Sequence, residues 1–287
     1  MNDLHGLSGL QSYPLARRGL VMTSLISGLT LATTRVEAQV IHTDMTGIEG
    51  GEVKIPVGDT NLPGYFAKPV GAGPFPIVLV NEEIFGVHDY IKDICRRFAK
   101  AGYVAIAPEI YARLGDLSKM TDVGQIISQV VSKAPDARMM QDLDGAVAYA
   151  AAHGGAATRL GVTGFCRGGR NTWLYAAHNP NLKAAVAWYG PVGGAPSEIQ
   201  PKTATDVAGD LKCPLLGLYG GKDGGIKVED VQAAAAKAKA AGKSVEIVVY
   251  PEAPHGFHAD YRPSYRAEDA ADGMKRLFAF FKQHGAV

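Results

Sequence analysis

Apolar positions along the chain switch repeatedly between two periods. From Gly51 the chain opens with extended segments at Glu52–Val57 and Leu62–Lys68, and Pro76–Val80 is a short β-branched run of the kind that forms a buried strand. Helical spacing follows. Over Asp89–Ala101 it puts Ile91, Ile94, Cys95, Phe98 and Ala99 on one stripe, and Gly102 ends the helix at a position that favours a left-handed residue. The alternation continues through strand Tyr103–Ala107, a helix around Arg138–His153, strand Leu160–Gly164, helix Gly168–His178 and strand Ala184–Tyr189. Strand Leu215–Tyr219, helix Val228–Ala241, strand Ser244–Tyr250 and helix Glu268–Gln283 complete it. Parallel strands need crossover connections, and helices between them supply these. The pattern therefore predicts an α/β fold, a doubly wound, mostly parallel sheet with helices on both faces in a single domain. Residues 112–137 and 191–210 are longer, less regular insertions. In such folds ligands bind beyond the carboxyl ends of the strands, where insertions form lids or walls.

The chain before Gln39 follows a different pattern. Arg17-Arg18 precede a stretch without charge from Gly19 to Thr34, which leads to Val36-Glu37-Ala38. A basic region, an apolar region and suitable residues at −3 and −1 predict a signal peptide over residues 1–38, cleaved after Ala38. The paired arginines resemble a twin-arginine signal. The precursor's expected partner is thus the twin-arginine export machinery, and the expected location is a bacterial periplasm. The alternative is an uncleaved anchor, although the uncharged stretch falls short of the ~20 residues that span a bilayer. Residues 39–50 are then an N-terminal segment and 51–287 the main domain. The mature protein is not expected to span a membrane.

Composition narrows the function classes. With 29 Lys+Arg against 28 Asp+Glu, the chain lacks the basic field that nucleic acid requires. With 47% hydrophobic and 20% charged residues it is neither disordered by composition nor a multi-span membrane protein. Cysteines occur at 95, 166 and 213, an odd count that leaves at least one thiol free; Cys95 and Cys213 read as core residues. The 35 glycines are the one excess, and where they cluster carries the chemistry.

Strand Leu160–Gly164 runs into Gly164-Phe165-Cys166-Arg167-Gly168-Gly169 and continues as a helix. This is the nucleophile-elbow pattern with cysteine in place of serine: a turn so sharp that its neighbours must be small lifts the nucleophile above the sheet edge. The helix N-terminus beneath Cys166 favours thiolate. A glycine-rich phosphate loop or a plain packing turn would look similar. The following strands decide between these readings, because Asp223 follows one (Gly220-Gly221-Lys222-Asp223) and His255 follows the last (Glu252-Ala253-Pro254-His255-Gly256-Phe257). Nucleophile, acid and histidine occur in the order of a hydrolase triad, each at the carboxyl end of a strand. Asn81-Glu82-Glu83-Ile84-Phe85-Gly86 ends the first long buried strand, at the place where such folds supply one oxyanion-hole amide. The two amides are expected from Ile84 and Arg167.

These blocks, together with Pro108-Glu109-Ile110-Tyr111-Ala112-Arg113, resemble the dienelactone hydrolase family, the cysteine-nucleophile branch of the α/β-hydrolases, over roughly residues 50–285. The resemblance implies the α/β-hydrolase fold and a Cys166-His255-Asp223 triad. It also implies that Glu83 holds the resting thiol and takes its proton, and that Tyr189 lies near the substrate. Glu82 has no family assignment and is expected at the surface or in a salt bridge. Two departures bear on the substrate: the family's carboxylate-binding arginine beyond the histidine is replaced by Ala259, and its second arginine has no match. Arg167, Arg170 and Arg262 are the candidate substitutes, with Arg170 and Phe85 expected at the substrate. The implied activity is cleavage of a small ester or lactone through a thioester, without cofactor or metal. The rivals are a non-catalytic or redox-reactive binding homologue and a metal site at His255, His258 and Asp260, whose spacing is not that of a two-histidine helix motif.

Overall fold

The computed structural model describes residues 40–287. The expected signal peptide lies outside the described residues. Eight strands form one sheet in the order β1-β2-β4-β3-β5-β6-β7-β8. The first two, β1 (Ile48–Val57) and β2 (Thr60–Pro69), are an antiparallel hairpin in which Val57 pairs with Thr60 across Gly58-Asp59. Gly58 has φ +61, which that two-residue turn needs. β1 begins at Ile48, so the sheet starts ahead of the boundary expected at residue 51.

β2 pairs antiparallel with β4 (Val104–Pro108), and all later pairings are parallel. These join β3 (Phe75–Asn81), β5 (Gly155–Phe165), β6 (Leu182–Trp188), β7 (Leu215–Gly220) and β8 (Val245–Tyr250). The central strands are apolar on both faces because helices cover both. Helices α1 (Asp89–Lys100) and α5 (Ala267–His284) share one face, where Phe98 meets Phe278 edge to face at 5.7 Å. Helices α2 (Asp136–Ala152) and α3 (Arg167–His178) share the other, joined by Tyr175 Oη donating to Asp144 at 2.8 Å. α4 (Val228–Ala240) connects β7 to β8. Helix–sheet contact on the α5 face is close: a Cβ on Gly273 would lie 2.5 Å from the Trp188 ring.

The first insertion is built of short turns, whereas residues 190–203 of the second run without helix or strand. Residues 117–133 carry 3-10 turns and a π-helical turn at Ile126–Val130, and the second insertion holds a capped turn at Ala204–Val207. They are sewn together by Gln200, whose Nε2 donates to the carbonyls of Val131 and Ala134 at 2.7 and 2.9 Å.

Candidate active site

β5 delivers Cys166 at the N-cap of α3 with φ 56 and ψ −120. A non-glycine residue pays strain energy in that region, which persists only where the surroundings enforce it. Here the glycines allow the enforcement. A Cβ on Gly164 would sit 2.3 Å from the Gly168 carbonyl oxygen, and one on Gly168 2.3 and 2.5 Å from the carbonyl oxygens of Asn81 and Glu82. The elbow is thus pressed onto the end of β3, which leads into the Ile84 loop. Cys166 is itself buried, and its N–H donates to the Trp188 carbonyl at 3.1 Å.

Asp223 and His255 arrive from the ends of β7 and β8, which the backbone at Gly220 and Gly221 holds together: Cβ atoms there would lie 2.3 Å from Ala253 O and 2.5 Å from Pro251 O. Asp223 Oδ1 accepts from the N–H groups of Gly225 and Ile226 at 2.9 and 3.1 Å. Its Oδ2 is 2.7 Å from His255 Nδ1. That bond fixes the ring, and the remaining nitrogen, Nε2, has no hydrogen bond to an oxygen or nitrogen of the protein. Burial disfavours the imidazolium, but negative charge at Cys166 and Asp223 and the hydrogen bond to Asp223 override it and raise the His255 pKa to about 10. Cys166, His255 and Asp223 are therefore brought close together at the strand ends.

The amides of Ile84 and Arg167 donate to no backbone carbonyl in the surrounding turns. Arg167 is the first residue of α3, where an N–H has no acceptor within its own helix. Tyr189 directly follows β6 with φ 36, fully buried, its ring edge-on to His255 at 5.2 Å.

Other site residues are placed differently from expectation. Glu83 is fully buried and its hydrogen bonds go to groups other than the thiol: Oε1 accepts from Arg262 Nη2 at 2.8 Å, and Oε2 contacts Tyr261 Oη at 2.7 Å and His88 Nε2 at 3.2 Å. Burial alone would raise its pKa, yet Arg262 and His88 outweigh it and hold the carboxyl at about 2. Such a group is a poor acceptor for a thiol proton. Arg170, expected at the substrate, is turned to the opposite side of α3. Its guanidinium grips both oxygens of Asp136 at 2.8 Å and the Lys202 carbonyl at 2.8 Å, so it is committed to the fold. Arg262 is buried against Glu83 with its guanidinium 5.2 Å from the Phe85 ring, which makes Phe85 a packing partner of that ion pair. Arg167 donates from Nη2 to Gln200 Oε1 at 2.7 Å. Glu82, expected at the surface or salt-bridged, is fully buried and paired with no cation.

Sequence reasoning missed His88 and Tyr261, which complete the cradle of Glu83. Their neighbours Glu83 and His255 were the only signal. His258 and Asp260 are engaged by protein groups: Tyr90 Oη lies 2.7 Å from His258 Nδ1, and Arg97 donates to Asp260. Cys95 and Cys213 are buried thiols whose pKa values burial pushes up.

Residues 62–285 match the dienelactone hydrolase family. A candidate carboxymethylenebutenolidase of Methylorubrum extorquens is 59% identical over 287 residues, covering 99% of this chain and 98% of its own. A candidate carboxymethylenebutenolidase of Escherichia coli K12 is 48% identical over 264 residues, covering 92% and 97%. The crystal structure of a candidate dienelactone hydrolase from Klebsiella pneumoniae superposes with a TM-score of 0.81 at 54% identity, covering 82% of this chain and 99% of that one. The strand-end site, the sheet order and this likeness over nearly the whole domain agree: the chain is an α/β-hydrolase-fold enzyme that belongs to the dienelactone hydrolase family.

Proposed function

We propose that this hydrolase cleaves a small ester or lactone by nucleophilic acyl transfer to Cys166. The thiol proton passes to His255, whose raised pKa favours an imidazolium beside a thiolate. The thiolate attacks the carbonyl carbon, and the oxyanion is held by the amides of Ile84 and Arg167, each such donor being worth ~3 kcal/mol. Collapse breaks the C–O bond, and the imidazolium gives its proton to the leaving alkoxide. Neutral His255 then takes a proton from water as it attacks the thioester, and the released thiolate completes the cycle. Asp223 keeps Nδ1 protonated and Nε2 aimed at the chemistry. Glu83 serves as the counter-charge that lets Arg262 be buried behind the site.

The observation that carries this reading is Cys166 at φ 56 on the elbow, with His255 already oriented by Asp223 beside it. The names of the relatives favour a lactone among the ester classes. Assaying lactones, aryl esters and thioesters with wild type and Cys166→Ala tests it. The expected loss is on the order of 10³-fold or more, and retained activity in the variant overturns the assignment.

We also propose that residues 1–38 export the protein through the twin-arginine route to a periplasm, on the strength of Arg17-Arg18, the uncharged stretch after them and the Val36–Ala38 site. Fractionating cells that express the full chain or Arg17→Lys/Arg18→Lys tests this. A periplasmic product that survives the double substitution contradicts it.

A further inference from the structure

Glu82 and Glu83 are neighbours in the chain and both fully buried, yet their surroundings differ completely. Glu83 faces a guanidinium, a phenol and an imidazole. Glu82 faces no cation within salt-bridge reach: its Oε1 accepts the Ile110 N–H at 3.0 Å and its Oε2 has no protein partner. A second carboxylate, Glu109, just after β4, acts on it by repulsion. Tyr111, whose buried Oη likewise has no hydrogen-bond partner among the described residues, is close enough for the Glu82 charge to act on it. Asn171, Arg167 and Arg170 lie near enough to act on the same phenol. Those two guanidiniums are bound to Gln200 and Asp136.

A carboxylate is an acceptor only, whereas a carboxylic acid also offers an O–H. Buried, with the Ile110 N–H as its hydrogen-bond donor, no cation of the described residues in salt-bridge reach and Glu109 repelling it, the charged form of Glu82 loses to the neutral acid. Burial and Glu109 accordingly push the Glu82 pKa well above the ordinary carboxyl value.

The location gives this group a task. Its side chain ties the end of β3 to the chain after β4 through Ile110. Its own carbonyl oxygen abuts Gly168, 2.5 Å from where a Cβ would stand. The following residues are Glu83 and Ile84, so residue 82 is the joint between the oxyanion loop and the elbow.

We propose that Glu82 is a positioning residue that works as an uncharged carboxylic acid, pinning the Ile84 loop to the chain after β4 through Ile110. The kinetic part of this inference rests on the ester-hydrolysis reading; the spectroscopic part does not.

Glu82→Gln keeps a neutral head with one acceptor and one donor group, and is expected to retain kcat/KM within about threefold of wild type. Glu82→Met, which keeps the volume and removes the head, is expected to lower kcat roughly tenfold with KM little changed, since misplacing an oxyanion donor acts on the transition state. The infrared difference spectrum of wild type against Glu82→Gln at neutral pH is expected to show a protonated-carboxyl C=O band present in wild type alone. A Glu82→Gln variant as impaired as Glu82→Met, or a spectrum without that band, overturns the proposal. Should wild type cleave no ester at all, the acyl-transfer reading fails while the infrared band still decides the state of Glu82.

Discussion

Replacing Glu83 with glutamine removes one charge from a pair in which both side chains are completely shielded from solvent. The shape is conserved, but the Arg262 guanidinium is left buried beside a neutral amide. The amide nitrogen must also displace one of the acceptor roles that the carboxylate plays toward Arg262, Tyr261 and His88. Breaking a buried pair by removing one partner costs about 3–5 kcal/mol. The carboxyl itself leads to a similar figure, because a group held at about 2 against an ordinary 4.5 reflects roughly 3 kcal/mol of preference for its charged form. For a domain of this size each kcal/mol moves Tm by about 2–4 °C, so Glu83→Gln is expected to melt about 6–20 °C below wild type at neutral pH. The folded pKa is depressed, so the stabilisation is present above pH 4.5 and is lost as pH falls toward 2. The difference between wild type and variant must therefore shrink over that window. Thermal and urea unfolding across pH 2–7 measure it. A variant within about 2 °C of wild type at pH 7, or a gap that persists unchanged to pH 2, refutes the reasoning. Glu83→Gln/Arg262→Met removes both charges and is expected to recover most of the loss.

Arg170→Ala strands Asp136 without its bidentate partner and is expected to cost about 2–4 kcal/mol in urea unfolding while leaving KM nearly unchanged; a large rise in KM with intact stability would return Arg170 to the substrate. Gly168→Ala places a Cβ 2.3 Å from a backbone carbonyl, which no side-chain movement relieves, so soluble yield and activity are expected to collapse together; a folded, active variant contradicts the close contact of elbow and oxyanion strand. The folded pKa of His255 is raised, so the stability that its charge contributes is present below pH 6.5 and is lost as pH rises through about 10. The Tm difference between wild type and His255→Asn should follow that course, and a difference that grows with pH reverses the sign.

Much of this arrangement is written locally in the chain. The order of strands and helices from β1 to α5 follows from periodicity, and Cys166, Asp223 and His255 are legible because each sits at a strand end marked by glycines that close backbone contact demands. The structure departs where a side chain's partner is distant in sequence. Arg170 follows the elbow directly, yet its position on α3 turns it toward Asp136, 34 residues earlier. Glu83 is expected at the thiol, yet Tyr261 and Arg262, nearly 180 residues later, hold it. Glu82 illustrates the same limit: a charged residue type predicts exposure or pairing, and its complete burial follows only from the packing of β3, β4 and α3 around it. The insertions gave no period because their order comes from single tertiary bonds, such as those of Gln200, rather than from a repeating face.

The central claim is that an acyl group passes through the Cys166 sulfur. Rapid acid quenching of wild type during turnover of an activated aryl ester, followed by intact-mass measurement and peptide mapping, reads this directly. A single acyl addition on the peptide that contains Cys166, absent in Cys166→Ala, is the predicted result. Steady hydrolysis with no adduct on that cysteine, or with the acyl group on another residue, would contradict it.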